Sequence, residues 1–581
     1  MLLSKFDKFL IVFFVLVLGI IFVSSAVNVD LSKPYHILQQ ISKSATDLTS
    51  IDSDSDGLID LANSAVKVKC PDGNYKEAKD CNLAGSVING ITLPTCSGEA
   101  YLKWDNTQSK WICATISSSP ITQNVPTKGI YTGFGQDTCA AGYTTLLKGY
   151  MYQGGQNNGY GGDFICSKDV DGGLFSSGTQ GTIYLHNGAN YNWVLAPPCV
   201  ICAKDSSVGQ CYTNWGDHSC ATGFTSKYDG LIFGAGQNSG EWKTSLVCSE
   251  STSSSKIYRH INGGYNWTDP IECSVCCNDE SGGVFTKWGE FKSTTTPTCP
   301  TGYDTLYSGN MFQSGQRNGY GANAVCGKTG SNTSLNSIYT YTGSSYSWGT
   351  VPCSVCSKTN SSSHCFVSWG GDLTTPPNGY SKIYSGKLFS GGIAAGDGGG
   401  LACATNGLSS AVYVYNPTEG YHWITGSCSL YCTDTGGVYT SWGSNTCANG
   451  YNSVSTGFMY QGGQSNGYGG EFKCAQGKQI EIYIKANLTA GYTWINAPAC
   501  ATCVKPSSQG ECYTANGTQN CVSGYAPVYV GHLVTGGENS GYGQGTVCTS
   551  DTFIGPTTAY NYYDGSYQWD FSKPCAECCA N

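Results

Sequence analysis

Charged side chains are scarce in this 581-residue sequence. Aspartate, glutamate, lysine and arginine make up 12% of it, about half of the ~25% that is usual in soluble proteins. Only 30 residues are lysine or arginine, the net charge is −9, and no stretch concentrates the basic residues. Binding to nucleic acid or to an anionic membrane surface depends on clustered positive charge. We therefore expect no nucleic-acid partner, and membrane contact only through the N-terminal segment.

Recognisable catalytic motifs are also missing. The seven histidines occupy no repeated position and no metal-ligand spacing, and the sequence contains no Gly-x-Ser-x-Gly, no His-Glu-x-x-His and no phosphate-binding loop. The acidic residue that precedes a cysteine at Asp163 and Glu471 recurs in only some of the repeats described below, which does not support a carboxylate pair for glycoside hydrolysis. The sequence predicts that the protein is not an enzyme.

Residues 1–26 predict an export signal. A short basic lead precedes an apolar run from Phe9 to Val23, and small residues end at Ala26, which is the layout of a secretory signal peptide with a cleavage site. An uncleaved membrane anchor stays open as the alternative, because Phe9 to Val27 spans about 19 residues, close to the ~20 that cross a bilayer. In both cases the rest of the chain is expected to be secreted or held at the cell surface.

From residue 127 onward the sequence repeats itself six times, at a period of roughly 75 residues. Each unit opens on an aromatic-glycine phrase such as TNWG, passes through a Gly-rich stretch and a Tyr-x-Trp segment, and closes on a Cys-x-x-Cys such as PPCVIC. Units one, three and five are spaced 154 residues apart, and only units two, four and six open with a cysteine. The repeats therefore form three tandem copies of a two-part A–B module.

Each unit also contains a strand-turn-strand pattern. Aromatic and β-branched residues alternate around turns such as Asn-Gly or Asp-Gly, which is typical of β-hairpins. The predicted fold is all-β: small disulfide-rich β modules in six tandem repeats, arranged as three A–B pairs, with a short N-terminal helix. The last aromatic of every hairpin is a tryptophan, which we expect to pack in the core, with a ligand-stacking platform as the alternative. These tryptophans are Trp193, Trp267, Trp348, Trp423, Trp494 and Trp569.

The predicted domains follow from these patterns. They are a signal peptide or membrane anchor at 1–26, a stalk with an Asp-rich loop at 27–69, a small disulfide-stapled hairpin region at 70–126, and the three A–B modules at 127–279, 280–434 and 435–581.

The 32 cysteines of an exported chain predict disulfides, and the repeats serve as an internal alignment for pairing them. Unit four lacks both the cysteine before Gly-Tyr, where Pro376 stands, and the second cysteine of the closing motif, where Tyr431 stands. Two losses in one unit indicate one lost bridge. These two positions are therefore predicted to pair in the other units as Cys139–Cys202, Cys220–Cys276, Cys299–Cys356, Cys447–Cys503 and Cys521–Cys578.

The remaining cysteines follow from co-occurrence and elimination. The opening cysteine of units two, four and six occurs only together with an extra cysteine after the closing motif, which predicts Cys211–Cys277, Cys365–Cys432 and Cys512–Cys579. Two cysteines are then left in each unit, which predicts Cys166–Cys199, Cys248–Cys273, Cys326–Cys353, Cys403–Cys428, Cys474–Cys500 and Cys548–Cys575. Ahead of the repeats, Cys96–Cys113 would close a hairpin-like segment and leave Cys70–Cys81. Units this small need such bridges, because each buries little apolar surface.

The repeat pattern resembles the non-collagenous C-terminal domain of short-chain, spongin-type collagens. The matching elements are Tyr-x-x-Trp-Gly, the phrase CPTGYDTLYSG with its Cys-x-x-Gly-x-x-x-x-Tyr-x-Gly spacing, the Gly-rich stretch and the closing Pro-Cys-x-x-Cys, over residues 127–581. Those domains consist of two unlike halves and are related to the trimer-forming C-terminal domain of type IV collagen. This chain has no Gly-X-Y tract and carries three modules instead of one. The resemblance therefore implies a single-chain pseudo-trimer.

An Asp-rich segment in the stalk is similar to an EF-hand calcium loop. Asp52, Asp54, Asp56 and Asp60 fall on positions one, three, five and nine, with a glycine at position six. The twelfth position is Asn63 instead of a bidentate glutamate, so the pattern predicts weak calcium binding, and no other cofactor is expected. A solvated acidic linker is the alternative.

These patterns favour an exported structural or adhesive protein of the cell surface or extracellular matrix, which contacts itself or other surface and matrix proteins. The alternative is a multivalent glycan-binding lectin, in which aromatic and amide side chains of the Gly-rich loops would hold sugars. The same loops also fit tight backbone turns that only glycine allows. The candidate ligand residues are Gln156, Asn158, Tyr160 and Asp163 in unit one and Gln464, Asn466, Tyr468 and Glu471 in unit five.

Overall fold

The structure is a computed structural model. It describes six short strands between residues 67 and 115, and residues 129–580 except the loop positions 154–159, 169–181, 187–189, 205–210, 237–244, 251–255, 262–263, 279–282, 315, 317–319, 335, 343, 359–363, 392–398, 406, 435, 463, 465, 467, 506–511, 536–544 and 551–556. The apolar N-terminal segment, the predicted helix, the aspartate loop at 52–60 and the predicted Cys70–Cys81 and Cys96–Cys113 bridges lie outside the described residues. No helix in the described part of the chain is long and apolar enough to cross a membrane.

The chain forms two compact units, Met1–Thr122 and Gln123–Asn581. In the first, six strands pair antiparallel in three two-stranded sheets. These are β1 (Lys67–Lys69) with β2 (Tyr75–Glu77), β3 (Val87–Ile88) with β4 (Ile91–Thr92), and β5 (Ala100–Asp105) with β6 (Lys110–Thr115).

The second compact unit contains six strands in each of the six sequence units. Unit one has β7 (Ile130–Phe134), β8 (Thr144–Gln153), β9 (Phe164–Lys168), β10 (Thr182–His186), β11 (Tyr191–Leu195) and β12 (Pro198–Ala203). Unit two has β13 (Cys211–Trp215), β14 (Phe224–Ala235), β15 (Ser245–Ser249), β16 (Ile257–Ile261), β17 (Gly264–Thr268) and β18 (Glu272–Asn278). Unit three has β19 (Val284–Trp288), β20 (Tyr303–Ser314), β21 (Ala322–Lys328), β22 (Ile338–Tyr341), β23 (Tyr346–Gly349) and β24 (Pro352–Lys358).

The second half continues the same pattern. Unit four has β25 (Cys365–Trp369), β26 (Tyr380–Ser390), β27 (Leu401–Ala404), β28 (Val412–Asn416), β29 (Gly420–Ile424) and β30 (Ser427–Thr433). Unit five has β31 (Val438–Trp442), β32 (Asn452–Gln461), β33 (Phe472–Ala475), β34 (Glu481–Lys485), β35 (Tyr492–Asn496) and β36 (Ala499–Val504). Unit six has β37 (Cys512–Asn516), β38 (Tyr525–Thr535), β39 (Thr546–Ser550), β40 (Thr558–Tyr563), β41 (Ser566–Phe571) and β42 (Pro574–Ala580). Apart from one 3-10 turn at Asn332–Ser334, the described elements are strands, so the all-β prediction is confirmed.

Every unit has the same strand pairing. In unit two, for example, β13 pairs antiparallel with β18, β18 with β14, and β14 with β15. The fourth and fifth strands, here β16 and β17, form a separate hairpin. Each unit therefore contributes four strands to the main sheet, in the order first, sixth, second, third.

The six four-strand groups join into one closed sheet of 24 strands. At each joint, the third strand of one unit lies parallel to the first strand of the next, as in β9 beside β13, where Ser167 pairs with Trp215. The last joint returns to the beginning, because Thr549 of β39 pairs with Phe134 of β7. The sheet is thus a ring that one chain closes on itself, which is the arrangement that a single-chain pseudo-trimer requires.

Buried tyrosines of the second strands, Tyr228, Tyr307 and Tyr529, each form a hydrogen bond across a joint to the next unit. The hydroxyl of Tyr228 lies 3.0 Å from the carbonyl oxygen of Cys248 in its own unit and 3.0 Å from that of Thr286 in the next unit, and it donates to both. Tyr529 does the same at the closing joint, where its hydroxyl lies 3.2 Å from the carbonyl oxygen of Thr132. The closing joint therefore has the same polar contact as a joint between consecutive units.

The hairpins form a second, outer ring. Their apolar face contacts the preceding unit: Ile183 and Leu185 of unit one share a buried cluster with Val534 of unit six. Their aromatic face is partly exposed, and the tryptophan of each hairpin contacts a tyrosine of the next hairpin, with ring centroids 3.8 to 5.9 Å apart. The contacts are Trp193–Tyr265, Trp267–Tyr341, Trp348–Tyr415, Trp423–Tyr492, Trp494–Tyr562 and Trp569–Tyr191. The tryptophans are thus not core residues: they join neighbouring hairpins.

The described residues contain fourteen disulfides, and these join the same pairs as the internal alignment in all six units. In unit four, Tyr431 takes the place of the missing bridge. Its ring stacks on Phe366 at 5.3 Å, and its hydroxyl accepts a hydrogen bond of 2.8 Å from the backbone N–H of Leu373. Packing and a hydrogen bond thus tie down a segment that a disulfide holds in the other five units.

Candidate functional site

A cavity of about 820 Å³ lies in the middle of the ring. The opening residue of the first strand from every unit lines it: Ile130, Cys211, Val284, Cys365, Val438 and Cys512. In three of the first strands the next but one side chain also faces this central cavity, and these residues are Thr132, Thr213 and Thr514. The cavity is therefore a product of ring closure, because its wall requires all six units.

The A–B alternation of the sequence corresponds to this wall. Units one, three and five contribute isoleucine or valine, and units two, four and six contribute a half-cystine. The half-cystines belong to the bridges found only in the B units, such as Cys211–Cys277, which joins directly opposite residues of β13 and β18 with a Cα–Cα distance of 4.1 Å. One end of the cavity is thus lined alternately by aliphatic side chains and disulfides.

One joint differs from the other five. Between units five and six, Lys473 and Glu577 line the cavity. The other units have Ile165, Val247, Val325, Ala402 and Val547 at the position of Lys473, and Ile201, Val275, Val355, Leu430 and Thr502 at the position of Glu577. Asn516 lines the cavity at the same joint, where the other units have Phe134, Trp215, Trp288, Trp369 and Trp442. Three polar residues thus replace apolar ones at one place.

The side chains of this joint form a short network. Thr514 Oγ1 donates a hydrogen bond of 2.8 Å to Glu577 Oε2. Asn516 is 7% exposed, its Nδ2 donates to the carbonyl oxygen of Cys474 at 3.2 Å, and its Oδ1 is buried without a hydrogen-bond partner. Lys473 Nζ lies 3.2 Å from Glu471 Oε2, so its charge is already paired.

A second group of polar residues lies beyond Lys473, and we call it the central polar cluster: Asp163, Ser245, Asn323 and Glu471. Asn323 Nδ2 donates to Glu471 Oε1 at 3.3 Å, and Asp163 shares hydrogen bonds with Glu471 and Ser245. Asp163, Asn323 and Glu471 occupy the same position in units one, three and five, three residues before a cysteine. The three A units therefore meet at this cluster.

Acidic residues of the central polar cluster and of the joint between units five and six both have raised pKa values, with different neighbours. Burial raises the pKa of Asp163 well above its usual range, and the neighbouring charge of Glu471 and the hydrogen bond between the two carboxyl groups raise it further. Asp163 therefore keeps its proton at pH values where an exposed aspartate would have lost it. Burial raises the pKa of Glu577 to about 7, although the hydrogen bond from Thr514 and the charge of Lys473 both lower it. Glu577 therefore changes its charge near neutral pH, although it lies in the cavity wall.

The loop residues predicted to bind a ligand have other contacts where the structure describes them. Gln464 is fully buried, its Nε2 donates to the carbonyl oxygen of Glu481 at 2.8 Å, and its Oε1 accepts from the N–H of Tyr562 at 3.0 Å. Gln316 makes the same two contacts in unit three, with Ser337 and Tyr415. These glutamines fasten a loop to its own hairpin and to the next one, which fits the alternative of tight structural turns.

The other loop candidates divide into three groups. Asp163 and Glu471 come together in the central polar cluster. Tyr160, Asn466 and Tyr468 lie within the described loops, and Asn466 has a positive φ of 50°. Gln156 and Asn158 lie outside the described residues. The loops thus bring two of the eight candidates to one place.

Sequence reasoning missed Lys473, Thr514, Asn516 and Glu577. A signal was present in the internal alignment, since Lys473, Asn516 and Glu577 are each the polar exception at a position that is apolar in at least four of the other units. The internal alignment does not show that the units join into a ring. In the ring, the third strand of one unit lies beside the first strand of the next unit, which pairs with the sixth strand of that unit.

We expect thermal stability to fall as the pH rises from about 4.5 to about 7. Glu577 ionises near its ordinary value of 4.5 in the unfolded chain but only near 7 in the ring. Over that interval the folded state holds a proton that the unfolded state has released, so ionisation favours unfolding. The ionisable groups that interact with it are Lys473 and the buried Tyr131, Tyr143, Tyr513 and Tyr529.

Calorimetry at pH 5 and pH 8 on Glu577→Gln checks this. The variant removes the titrating proton, so its melting temperature should fall less between the two pH values than that of the unchanged protein. A smaller fall should persist, because Asp163 has a pKa raised in the same direction. Asp564→Asn, at a carboxylate that is 88% exposed, is the control. Equal falls in the Glu577→Gln variant and in the unchanged protein would contradict the prediction.

No protein-family model matches the chain, and no curated protein sequence matches it. The function proposed below therefore depends on the geometry of the ring.

Proposed function

We propose that this chain is an extracellular structural and adhesive protein, whose three A–B modules form one rigid ring-shaped head at the cell surface or in the matrix. The high number of disulfides fits a secreted or extracellular protein. The observation that carries the proposal is the closure of the sheet within one chain, through β39 and β7. A closed sheet has no free edge strand, so contacts with partners are left to the outer hairpins and the two ends of the ring.

Three further features belong to this proposal. The resemblance to the C-terminal domain of short-chain collagens supports a matrix role and a single-chain pseudo-trimer. The N-terminal apolar segment would export or anchor the chain, and the stalk at 27–69 would carry the weak calcium loop. The glycan-binding alternative has less support, because Gln464 and Gln316 use their side-chain amides on the backbone.

The outer hairpins offer an apolar contact surface. Among the described residues, Leu195 at the end of β11 is 64% exposed and Phe571 at the end of β41 is 75% exposed. They occupy the same position, two residues after the hairpin tryptophan, in units one and six, which are neighbours in the ring. Exposed apolar patches are typical of surfaces that associate with other proteins, and we propose these two side chains as the ones that make contacts between rings.

Sedimentation velocity on the secreted, oxidised chain across a concentration series tests the proposal. We expect reversible growth of the sedimentation coefficient with concentration, because rings associate through the hairpin surface. The double variant Leu195→Ser/Phe571→Ser should lose this growth, while Val530→Ser, at an exposed side chain of β38, should keep it. A protein that sediments as one chain at every concentration would overturn self-association. Adhesion to other surfaces would then remain as the proposed role.

A further inference from the structure

The central cavity has the features of a binding site for a small molecule. Its volume of about 820 Å³ lies within the ~300–1,000 Å³ range of ligand pockets. Such pockets combine an apolar wall with a few polar groups that converge on the ligand. Here the wall contains aliphatic and aromatic side chains, disulfides, threonines and His364, and the lysine and the glutamate that line it, Lys473 and Glu577, both lie at the joint between units five and six.

The polar residues of this joint are not needed to build it. Four of the other five joints have apolar residues at all three positions, and the fifth has two apolar residues and Thr502. Placing a carboxyl group and an amide in such a wall costs stability unless each finds a partner. Asn516 Oδ1 has none, although Asn516 is more than nine-tenths buried and lines the cavity. The Asn516 oxygen is enclosed and has no surface open to the cavity, so the acidic residue that a ligand can contact at this joint is Glu577, which lines the cavity.

The chemistry of the unused groups defines the ligand. Lys473 is paired with Glu471, and Asp163, whose pKa is raised, keeps its proton. Glu577 forms no ion pair with another described residue, and its Oε2 accepts from the neutral hydroxyl of Thr514. The acceptor available to a ligand at this joint is therefore the Glu577 carboxylate. A ligand that satisfies it must donate hydrogen bonds and carry positive charge.

We propose that the central cavity binds a small organic cation, whose primary ammonium group donates to the carboxylate of Glu577. Its apolar part lies along the aliphatic wall formed by Ile130, Val284 and Val438. This inference is independent of the adhesive function, because it concerns the inside of the ring and not its outer hairpins.

Isothermal titration of the secreted, oxidised chain with n-hexylammonium chloride tests the proposal. We expect saturable binding of one ligand per chain at pH 8, where Glu577 is ionised, and at least tenfold weaker binding at pH 5.5. The ligand keeps its charge over this range, since alkylammonium groups resemble lysine with a pKa near ~10.4. Glu577→Gln should weaken binding at least tenfold at pH 8, and Asp564→Asn, which removes a surface carboxylate, should leave it unchanged.

Two comparisons need no variant. Hexan-1-ol has the same chain without the charge and should not bind at concentrations that saturate the ammonium ligand. Hexyltrimethylammonium has the charge but no N–H donor, so it should bind more weakly than hexylammonium. Saturable binding of all three compounds with equal affinity would overturn the proposal, because the cavity would then take any apolar chain. Absence of hexylammonium binding at pH 8 would also overturn it.

Discussion

Replacing Gly531 with alanine should lower the free energy of unfolding by about 3 kcal/mol and loosen the closing joint of the ring. A Cβ at this position of β38 would lie 1.9 Å from the carbonyl oxygen of Thr549 and 2.9 Å from the Cα of Ser550. Both are backbone atoms of β39, so no side chain can move aside to relieve the overlap. Thr549 is also the residue that pairs with Phe134. The strand that must move is therefore the strand that closes the ring.

Urea unfolding and hydrogen exchange measure the two parts of this expectation. The urea concentration at the unfolding midpoint should fall, while the slope of the unfolding free energy against urea stays the same. The amides of β7 should exchange faster than those of β19, which lies at an unaltered joint. Gly491→Ala is the matched control, because a Cβ there meets nothing within 4 Å and the backbone has no positive φ. It should change stability by less than about 0.5 kcal/mol. Equal effects of the two substitutions would show that β38 and β39 separate easily.

Each unit of the ring depends on its neighbours for part of its hydrophobic core. The buried clusters cross unit boundaries: Tyr212 of unit two and Val534 of unit six belong to one cluster with Leu147 and Met151 of unit one. A unit removed from the ring would expose the apolar face of a neighbour's hairpin and the edges of two strands. We therefore infer that the ring folds as one body, in which each unit completes the core of the units beside it.

The repetition of cysteines made the units and their disulfides accessible from sequence. Unit four was informative because Pro376 and Tyr431 replace two cysteines at once, and the structure joins Cys365 to Cys432 and Cys403 to Cys428 in that unit. Hairpins were also accessible, because their alternation is local. The Tyr529–Thr132 contact spans 397 residues, and no local pattern indicates that the sixth unit returns to the first.

The tryptophans show where sequence reasoning stopped. A Tyr-x-Trp strand is expected to bury its aromatics when the hairpin is considered alone. In the ring, the β-branched side chains such as Ile183 and Ile482 take the buried face. The aromatic face is left to meet the next hairpin, as Trp494 meets Tyr562 at 3.8 Å. Which face is buried depends on the neighbouring unit, and a single unit's pattern carries no information about it.

Removing the Cys447–Cys503 disulfide by a double serine substitution should lower the free energy of unfolding by about 4 kcal/mol. The bridge closes a loop with a sequence separation of 56, and in the chain-entropy model a loop of that size contributes about 4 kcal/mol by restricting the unfolded chain. Urea unfolding under non-reducing conditions measures the effect, and peptide mapping confirms that the other thirteen bridges of the described residues are intact. A loss below about 1 kcal/mol would mean that the ring, and not the bridge, holds the segment around Cys447.

Restoring the corresponding bridge in unit four should not return the same 4 kcal/mol. The double variant Pro376→Cys/Tyr431→Cys gains the loop constraint but removes a tyrosine that is 1% exposed, stacks on Phe366 and accepts a hydrogen bond from Leu373. Losing a buried aromatic costs about 3–5 kcal/mol, so the two effects should cancel to within about 1 kcal/mol. The control Tyr431→Ala should be about 3–5 kcal/mol less stable, since it loses the packing and gains no bridge. A double variant that is 4 kcal/mol more stable than the natural chain would contradict this account, because Tyr431 would then contribute little where the disulfide is absent.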